Sequence, residues 1–182
     1  MASIHPDIDS VLISREEIAD AVSNIGKRIS ADYAGREPII VCVLKGSLPF
    51  CADLMRGLDI HCVIDFMKVS SYGAGTKSTG NVKILQDLTE DISGRDILIC
   101  EDIIDSGLTL SCLKNLLLER GAASVAIVSF CVKDIDGYEC PVKADYVCFH
   151  VPNKFVVGYG LDYAERYRNL PYVGVLKHEV YE

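Results

Sequence analysis

Two glycine fingerprints of nucleotide-binding proteins are missing from this chain. No G-x-G-x-x-G follows a strand-like run and no G-x-x-x-x-G-K-[ST] occurs anywhere, which removes a Rossmann dinucleotide site and a P-loop. Positive charge is also scarce. Lys and Arg number 18 against 26 Asp and Glu, a net charge of −8, whereas a nucleic-acid backbone demands a basic face. No apolar run reaches the roughly 20 residues of a membrane-spanning helix. The start, Met1-Ala-Ser-Ile-His-Pro-Asp, has neither a basic n-region nor an apolar core, so no secretion signal is visible and a cytoplasmic location is expected. There are eight cysteines but no C-x-x-C pair. Several, such as Cys42, Cys100 and Cys148, interrupt apolar runs, where a reduced thiol acts as a small hydrophobe. The four histidines are scattered, without metal-ligand spacing. What is present is 182 residues of 49% hydrophobic content, enough for one domain over 1–182 with a sizeable core.

The informative segment is 97–109, Ile-Leu-Ile-Cys-Glu-Asp-Ile-Ile-Asp-Ser-Gly-Leu-Thr. An apolar run suited to a buried strand leads to adjacent acids, Glu101 and Asp102. After Asp105 comes a turn built on Ser106, Gly107 and Thr109, and then leucines at helical spacing from Leu110 to Arg120, with Gly121 as a stop. Strand, tight turn and helix aim free backbone N–H groups and the positive helix end at an anion. Ser106 and Thr109 add hydroxyl donors, so this end suits a phosphate. Glu101 and Asp102 do not, and are better explained as paired acceptors for the hydroxyls of a ribose diol. Taken singly, adjacent acids are commonly a solvated rim, and a Ser-Gly turn is commonly a cap. Their ordered combination favours a ribose 5-phosphate cradle.

Around this segment the chain alternates strands and helices. Ser14-Arg-Glu-Glu17 is a capping box opening a helix to about Tyr33. Buried strands are expected over 37–44 and 61–70, with a short helix to about Met55 between them. Residues 71–80 hold three glycines and little that can be buried, and a strand resumes at Val82. That pattern predicts a hairpin with a long mobile tip. Further strands are expected near 124–132, 145–149, 155–158 and 172–176. The predicted architecture is α/β, an open, mostly parallel sheet flanked by helices, with a small hood formed by the terminal segments. Ligands of such sheets bind at the carboxyl ends of the strands.

Glu101-Asp-Ile-Ile-Asp-Ser-Gly-Leu-Thr109 resembles the phosphoribosyl-pyrophosphate (PRPP) motif of the type I phosphoribosyltransferases, in detail their hypoxanthine-guanine branch. The similarity extends over nearly the whole chain. The resemblance implies that Glu101, Asp102, Asp105, Ser106, Gly107, Leu108 and Thr109 bind ribose phosphate, with Asp105 as the catalytic base. Leu44-Lys45-Gly46 resembles the pyrophosphate loop, whose non-proline cis peptide frees backbone N–H groups; Arg168 would join it. Ser70-Ser71-Tyr72-Gly73 looks like the start of the catalytic lid. Lys133 matches the donor to a purine 6-oxo group. Phe155-Val-Val-Gly-Tyr-Gly-Leu-Asp162 resembles the C-terminal signature, in which Phe155 stacks on the base, Val156 offers backbone contacts and Asp162 reaches a metal-bound water. Departures from the pattern are Gly160 in place of alanine, Asn153 in place of aspartate and His178 in place of proline.

The implied reaction is purine salvage, in which the 5-phosphoribosyl group moves from PRPP to hypoxanthine or guanine. An acidic protein handling pyrophosphate must recruit a cation, Mg²⁺, toward Glu101, Asp102 and Asp162. Lys133 only donates, so a 6-amino base is mismatched and adenine should be poor. The expected partners are PRPP and a 6-oxopurine, with no nucleic acid and no membrane, in a homo-oligomer, dimer or tetramer. An RNA-binding regulator on the same fold would need a basic face, against which −8 speaks.

Overall fold

In a computed structural model that describes residues 4–71 and 82–181, the chain runs β1 (Ile8–Ile13), α1 (Arg15–Asp32), β2 (Ile39–Val43), α2 (Leu48–Gly57), β3 (Val63–Ser71), β4 (Val82–Gln86), β5 (Asp96–Ile104), α3 (Leu108–Glu119), β6 (Ser124–Asp134), β7 (Tyr146–Pro152), β8 (Val156–Val157), β9 (Val173–Leu176) and α4 (His178–Tyr181). Local chemistry sets the first helix. The Ser14 side chain accepts from the Glu17 N–H while the Glu17 carboxylate accepts from the Ser14 N–H at 2.8 Å, so two orphan donors of the first turn are satisfied reciprocally.

The main sheet has six strands in the order β4-β3-β2-β5-β6-β7. Strands β3, β2, β5, β6 and β7 are parallel, and β4 alone is antiparallel, hairpinned onto β3. All five residues of β2 are buried, as expected when helices cover both faces. Their side chains alternate between two cores. Ile40 and Cys42 join Leu98, Cys100, Val128 and Phe130 under α1 and α2. Ile39, Val41 and Val43 join Ile97, Ile99 and Ile127 against Leu110, Leu113 and Leu117 of α3. Period-2 alternation thus ties each helix to one face.

A second, three-stranded sheet, β1-β9-β8, is antiparallel and packs Ile8, Val157, Tyr167, Tyr172 and Leu176 into a small core of its own. This is the hood, although it is built from β8 as well as from the terminal segments. Strand β1 has no counterpart in the sequence pattern. Two register shifts against β9 break its alternation, so only Ile8 and Ile13 are buried. Several other boundaries differ from expectation, among them the end of β7, which runs on to Pro152. Strand β5 continues past the acidic pair to Ile104, and β8 is cut to two residues because Gly158 turns away at φ +101°. None of the eight cysteines, all among the described residues, is in a disulfide. No helix among the described residues is long and apolar enough to cross a membrane.

Candidate active site

The turns that follow β2, β5 and β6 converge with the segment after β8 at the carboxyl edge of the sheet. After β2, the chain makes a cis peptide between Leu44 and Lys45, in the loop where the family resemblance anticipates one. Gly46 then sits against β5 so closely that a Cβ would overlap Asp102 Oδ2. Gly160, in the position where alanine is the familiar residue, has φ +101° and a Cβ there would overlap the Gly46 carbonyl. Contacts this close, with the Asp102 side chain at Gly46 and with backbone at Gly160, favour glycine at both positions.

Strand β5 carries the acidic pair. Glu101 retains some exposure overall, but its Oε2 is fully enclosed and has no hydrogen-bond partner among the described residues. Removal from water is the main cause that pushes the Glu101 carboxyl well above its ordinary value of 4.5, and the neighbouring Asp102 charge adds to it. The Asp102 carboxyl is also raised, mainly by loss of water, against the lowering effect of its neighbour's hydrogen bond and of the Ile103 N–H, which donates to Oδ1 at 2.8 Å.

Beyond Asp105 the chain turns through Ser106 into α3. The residue before that helix, Gly107, adopts φ +68°, and no side chain caps the first turn. Its first N–H groups are thereby left as donors of the kind that suits an anion. The turn is held from behind, as Tyr138 Oη donates to the Ser106 carbonyl at 2.7 Å and Cys140 Sγ approaches the same oxygen at 3.7 Å. A cleft of about 380 Å³ is lined by Leu44, Lys45, Gly46, Glu101, Asp102, Asp105, Ser106, Gly107, Thr109, Asp162 and Arg168 among others. Leu108 opens α3 but its side chain is not part of that lining.

A second cleft of about 240 Å³ adjoins the first and shares Asp102, Ile103, Asp105 and Asp162 with it; Lys133, Phe155, Val156 and Leu161 complete the wall. Lys133, near the end of β6, places Nζ 3.3 Å from Asp105 Oδ2. Phe155 is 38% exposed, so it is no core aromatic. It stacks on Tyr181 at 4.9 Å and meets Tyr163 edge-on at 5.5 Å. Arg168 donates to the Gly160 carbonyl at 2.7 Å and pairs with Asp162 at 2.9 Å. Its Nε is enclosed without a hydrogen-bond partner among the described residues.

Of the residues singled out from sequence, those for ribose phosphate other than Leu108, and those for pyrophosphate and purine, therefore lie around two contiguous clefts. Ser70 and Ser71 end β3, while Tyr72 and Gly73 lie outside the described residues. Glu101, Asp102 and Asp162 do not form a ready-made metal cage, for no group of three such ligands among the described residues has that arrangement. Asp162 is instead turned toward Arg168.

A family description named Phosphoribosyl transferase domain matches residues 11–164. The chain belongs to the phosphoribosyltransferase family. It is 54% identical to the hypoxanthine-guanine phosphoribosyltransferase of Streptococcus pneumoniae, over 96% of this chain and 97% of that protein. It is also 54% identical to the bifunctional protein TilS/HprT of Listeria innocua over 98% of its own length, which spans 28% of that longer protein. Among solved structures, a hypoxanthine phosphoribosyltransferase from Staphylococcus aureus superposes with a TM-score of 0.95 at 45% identity, covering 100% of this chain and 99% of the other.

Tyr138, Cys140 and Glu165 escape a reading of the sequence. Tyr138 and Cys140 lie in an irregular stretch between β6 and β7 with no periodicity to flag them. Glu165 and Arg168 have the i, i+3 spacing of a helix surface, yet Ala164, Glu165 and Tyr167 all have positive φ and the segment is a series of tight turns.

The enclosed Glu101 carboxyl yields a prediction. Because its folded-state pKa lies above 4.5, the folded protein binds more protons than the unfolded chain above that pH, and stability falls as pH rises from there toward the raised value. Glu101→Gln keeps the shape and removes the ionisation. Without ligand, the variant should unfold a few °C higher than the parent at neutral pH, with the difference shrinking below pH 4.5. Calorimetry of both proteins at several pH values checks this. A lower midpoint for the variant at neutral pH would contradict it.

Proposed function

We propose that the protein transfers the 5-phosphoribosyl group of PRPP to hypoxanthine or guanine, forming IMP or GMP and pyrophosphate, as a cytoplasmic enzyme of purine salvage. The observation that carries the proposal is the junction of the two clefts. A phosphate-type turn at Ser106–Thr109 and a carboxylate pair at Glu101 and Asp102 meet a base-sized slot walled by Phe155 and Lys133, and Asp102 and Asp105 belong to both. Few ligands other than a sugar phosphate joined to a flat base ask for all of these at once.

In this proposal the uncapped first turn of α3, with the Ser106 and Thr109 hydroxyls, holds the 5′-phosphate. Glu101 and Asp102 accept from the ribose hydroxyls. The loop amides of Leu44–Gly46, with Lys45 and Arg168, face pyrophosphate and stabilise the charge it gathers as the bond to C1 breaks, in a transition state of oxocarbenium character. Phe155 stacks on the base, the Val156 backbone contacts its edge, and Lys133 donates to the 6-oxo oxygen. Asp105, exposed and beside Lys133, takes the proton from the purine N7 so that the opposite nitrogen attacks.

The donor set fits Mg²⁺. The available groups are hard oxygens, Glu101 Oε2 has no hydrogen-bond partner among the described residues, and Mg²⁺ is usually held by one or two carboxylates together with substrate oxygens rather than by an all-protein cage. Glu101 and Asp102 would hold it, with Asp162 reaching one of its waters. When bound it supplies positive charge against pyrophosphate in a protein of net charge −8. In the same proposal the chain acts as one domain over 1–182 and as a dimer or tetramer, with no nucleic-acid or membrane partner.

The test is to supply PRPP and Mg²⁺ with hypoxanthine, guanine, xanthine or adenine in turn and to quantify nucleotide products. IMP and GMP should form and AMP should be scarce. No product with either 6-oxopurine overturns the proposal. A second outcome concerns Asp105. An amide of the same shape cannot take the purine proton, so Asp105→Asn should bind PRPP nearly normally while kcat falls about 10²–10⁴-fold. Steady-state kinetics with hypoxanthine decides it, and a near-normal kcat would remove Asp105 from the base role.

A further inference from the structure

Both cations proposed to face pyrophosphate are already engaged by the same carboxylate. Glu165 Oε2 lies 2.9 Å from Lys45 Nζ, and Glu165 Oε1 lies 3.4 Å from Arg168 Nη2. A single side chain thus spans the two arms of the cleft, the loop after β2 and the turns that follow β8. Asp162 faces the same guanidinium from the other oxygen set, at 2.9 Å.

Glu165 does not arrive there by helical spacing. Ala164, Glu165 and Tyr167 have φ of +50°, +64° and +72°, a region that non-glycine residues seldom occupy. The Glu165 N–H donates to Asp162 Oδ2 at 2.8 Å, and a bridge between Tyr163 and Arg166 closes the turn. The backbone is therefore held in a costly conformation whose effect is to present a carboxylate to Lys45 and Arg168. Glu165 is also well exposed, with 63% of its side chain accessible. Pairs of that kind are individually weak and easily exchanged. Two oxygens on one exposed carboxylate resemble, in charge and in spacing of acceptors, part of a pyrophosphate group, and Arg and Lys receive both through the same charge-assisted hydrogen bonds.

We infer that Glu165 is a built-in stand-in for pyrophosphate: it occupies Lys45 and Arg168 in the empty site, yields them to the incoming pyrophosphate group, and reclaims them as the product leaves. Its place in the cycle rests on the transfer reaction proposed above. The role is a competitive one. The carboxylate keeps the two cations ordered, at the expense of affinity for the polyanion, and so favours release. Removal of its charge should therefore tighten pyrophosphate binding, which is a gain that structural damage does not produce.

Titration calorimetry with inorganic pyrophosphate, at fixed Mg²⁺, on the parent protein, Glu165→Gln and Glu165→Asp tests the inference. Glu165→Gln should bind pyrophosphate about three- to tenfold more tightly, the sum of two exposed ion pairs no longer in competition, and product inhibition by pyrophosphate should strengthen in step. Glu165→Asp, which retains the charge, should gain less. Equal or weaker binding by Glu165→Gln overturns the inference, as does an equal gain in Glu165→Asp. A parent protein that makes no nucleotide from PRPP and hypoxanthine marks failure of the proposed function instead. An active parent whose pyrophosphate affinity is unmoved by Glu165→Gln marks failure of this inference alone.

Discussion

Glu101 and Asp102 stand side by side near the carboxyl end of β5, where both are largely withdrawn from water and Glu101 Oε2 has no hydrogen-bond partner among the described residues. Charged groups in such a place are unfavourable: loss of water pushes both carboxyls upward, and the Asp102 charge adds to the rise at Glu101. Much of the surrounding structure can be understood as the setting of this pair. The pleat of β5 fixes the two side chains, the parallel pairing of β5 with β2 and β6 brings three turns to the same edge, and Gly46 lets the loop after β2 lie directly on Asp102. A side chain at that position would force the loop away and open the cleft.

Net charge and local charge must be kept apart in this molecule. The chain is acidic overall, at −8, yet groups whose chemistry suits an anion gather at one edge: the first turn of α3, the loop at 44–46, Lys45 and Arg168. Partial charges on backbone N–H groups do not enter a count of ionisable residues, and they act at short range with fixed direction. The two full cations are meanwhile balanced by Asp162 and Glu165. The site is thus poised rather than strongly positive, which suits a reaction that must release a polyanion in every cycle.

The main sheet was largely legible because its signals are local. Continuous apolar runs flanked by turn residues, a capping box at Ser14 and leucines at helical spacing after Gly107 each identify their element without reference to the rest. The segment at 101–109 was legible for the same reason, since strand, turn and helix follow one another directly. Strand β1 was not, because its bulged register against β9 erases the alternation that marks a strand. Lys45, Lys133 and Phe155 carry no local signal; each becomes meaningful only through a resemblance or through the tertiary contact that places it, such as the 3.3 Å approach of Lys133 to Asp105. Glu165 shows the opposite hazard, a spacing that suggests a helix where positive φ values make turns.

The central claim is that the acidic pair is completed by substrate and cation together. Thermal unfolding of the protein alone, with Mg²⁺, with PRPP, and with both measures this directly, because any ligand that binds only the folded state raises its midpoint according to concentration and affinity. The account predicts a small shift with Mg²⁺ alone, a modest one with PRPP alone, and a shift with both that clearly exceeds their sum. A PRPP-induced shift that is the same with excess chelator as with Mg²⁺, or no shift under any of these conditions, would contradict it.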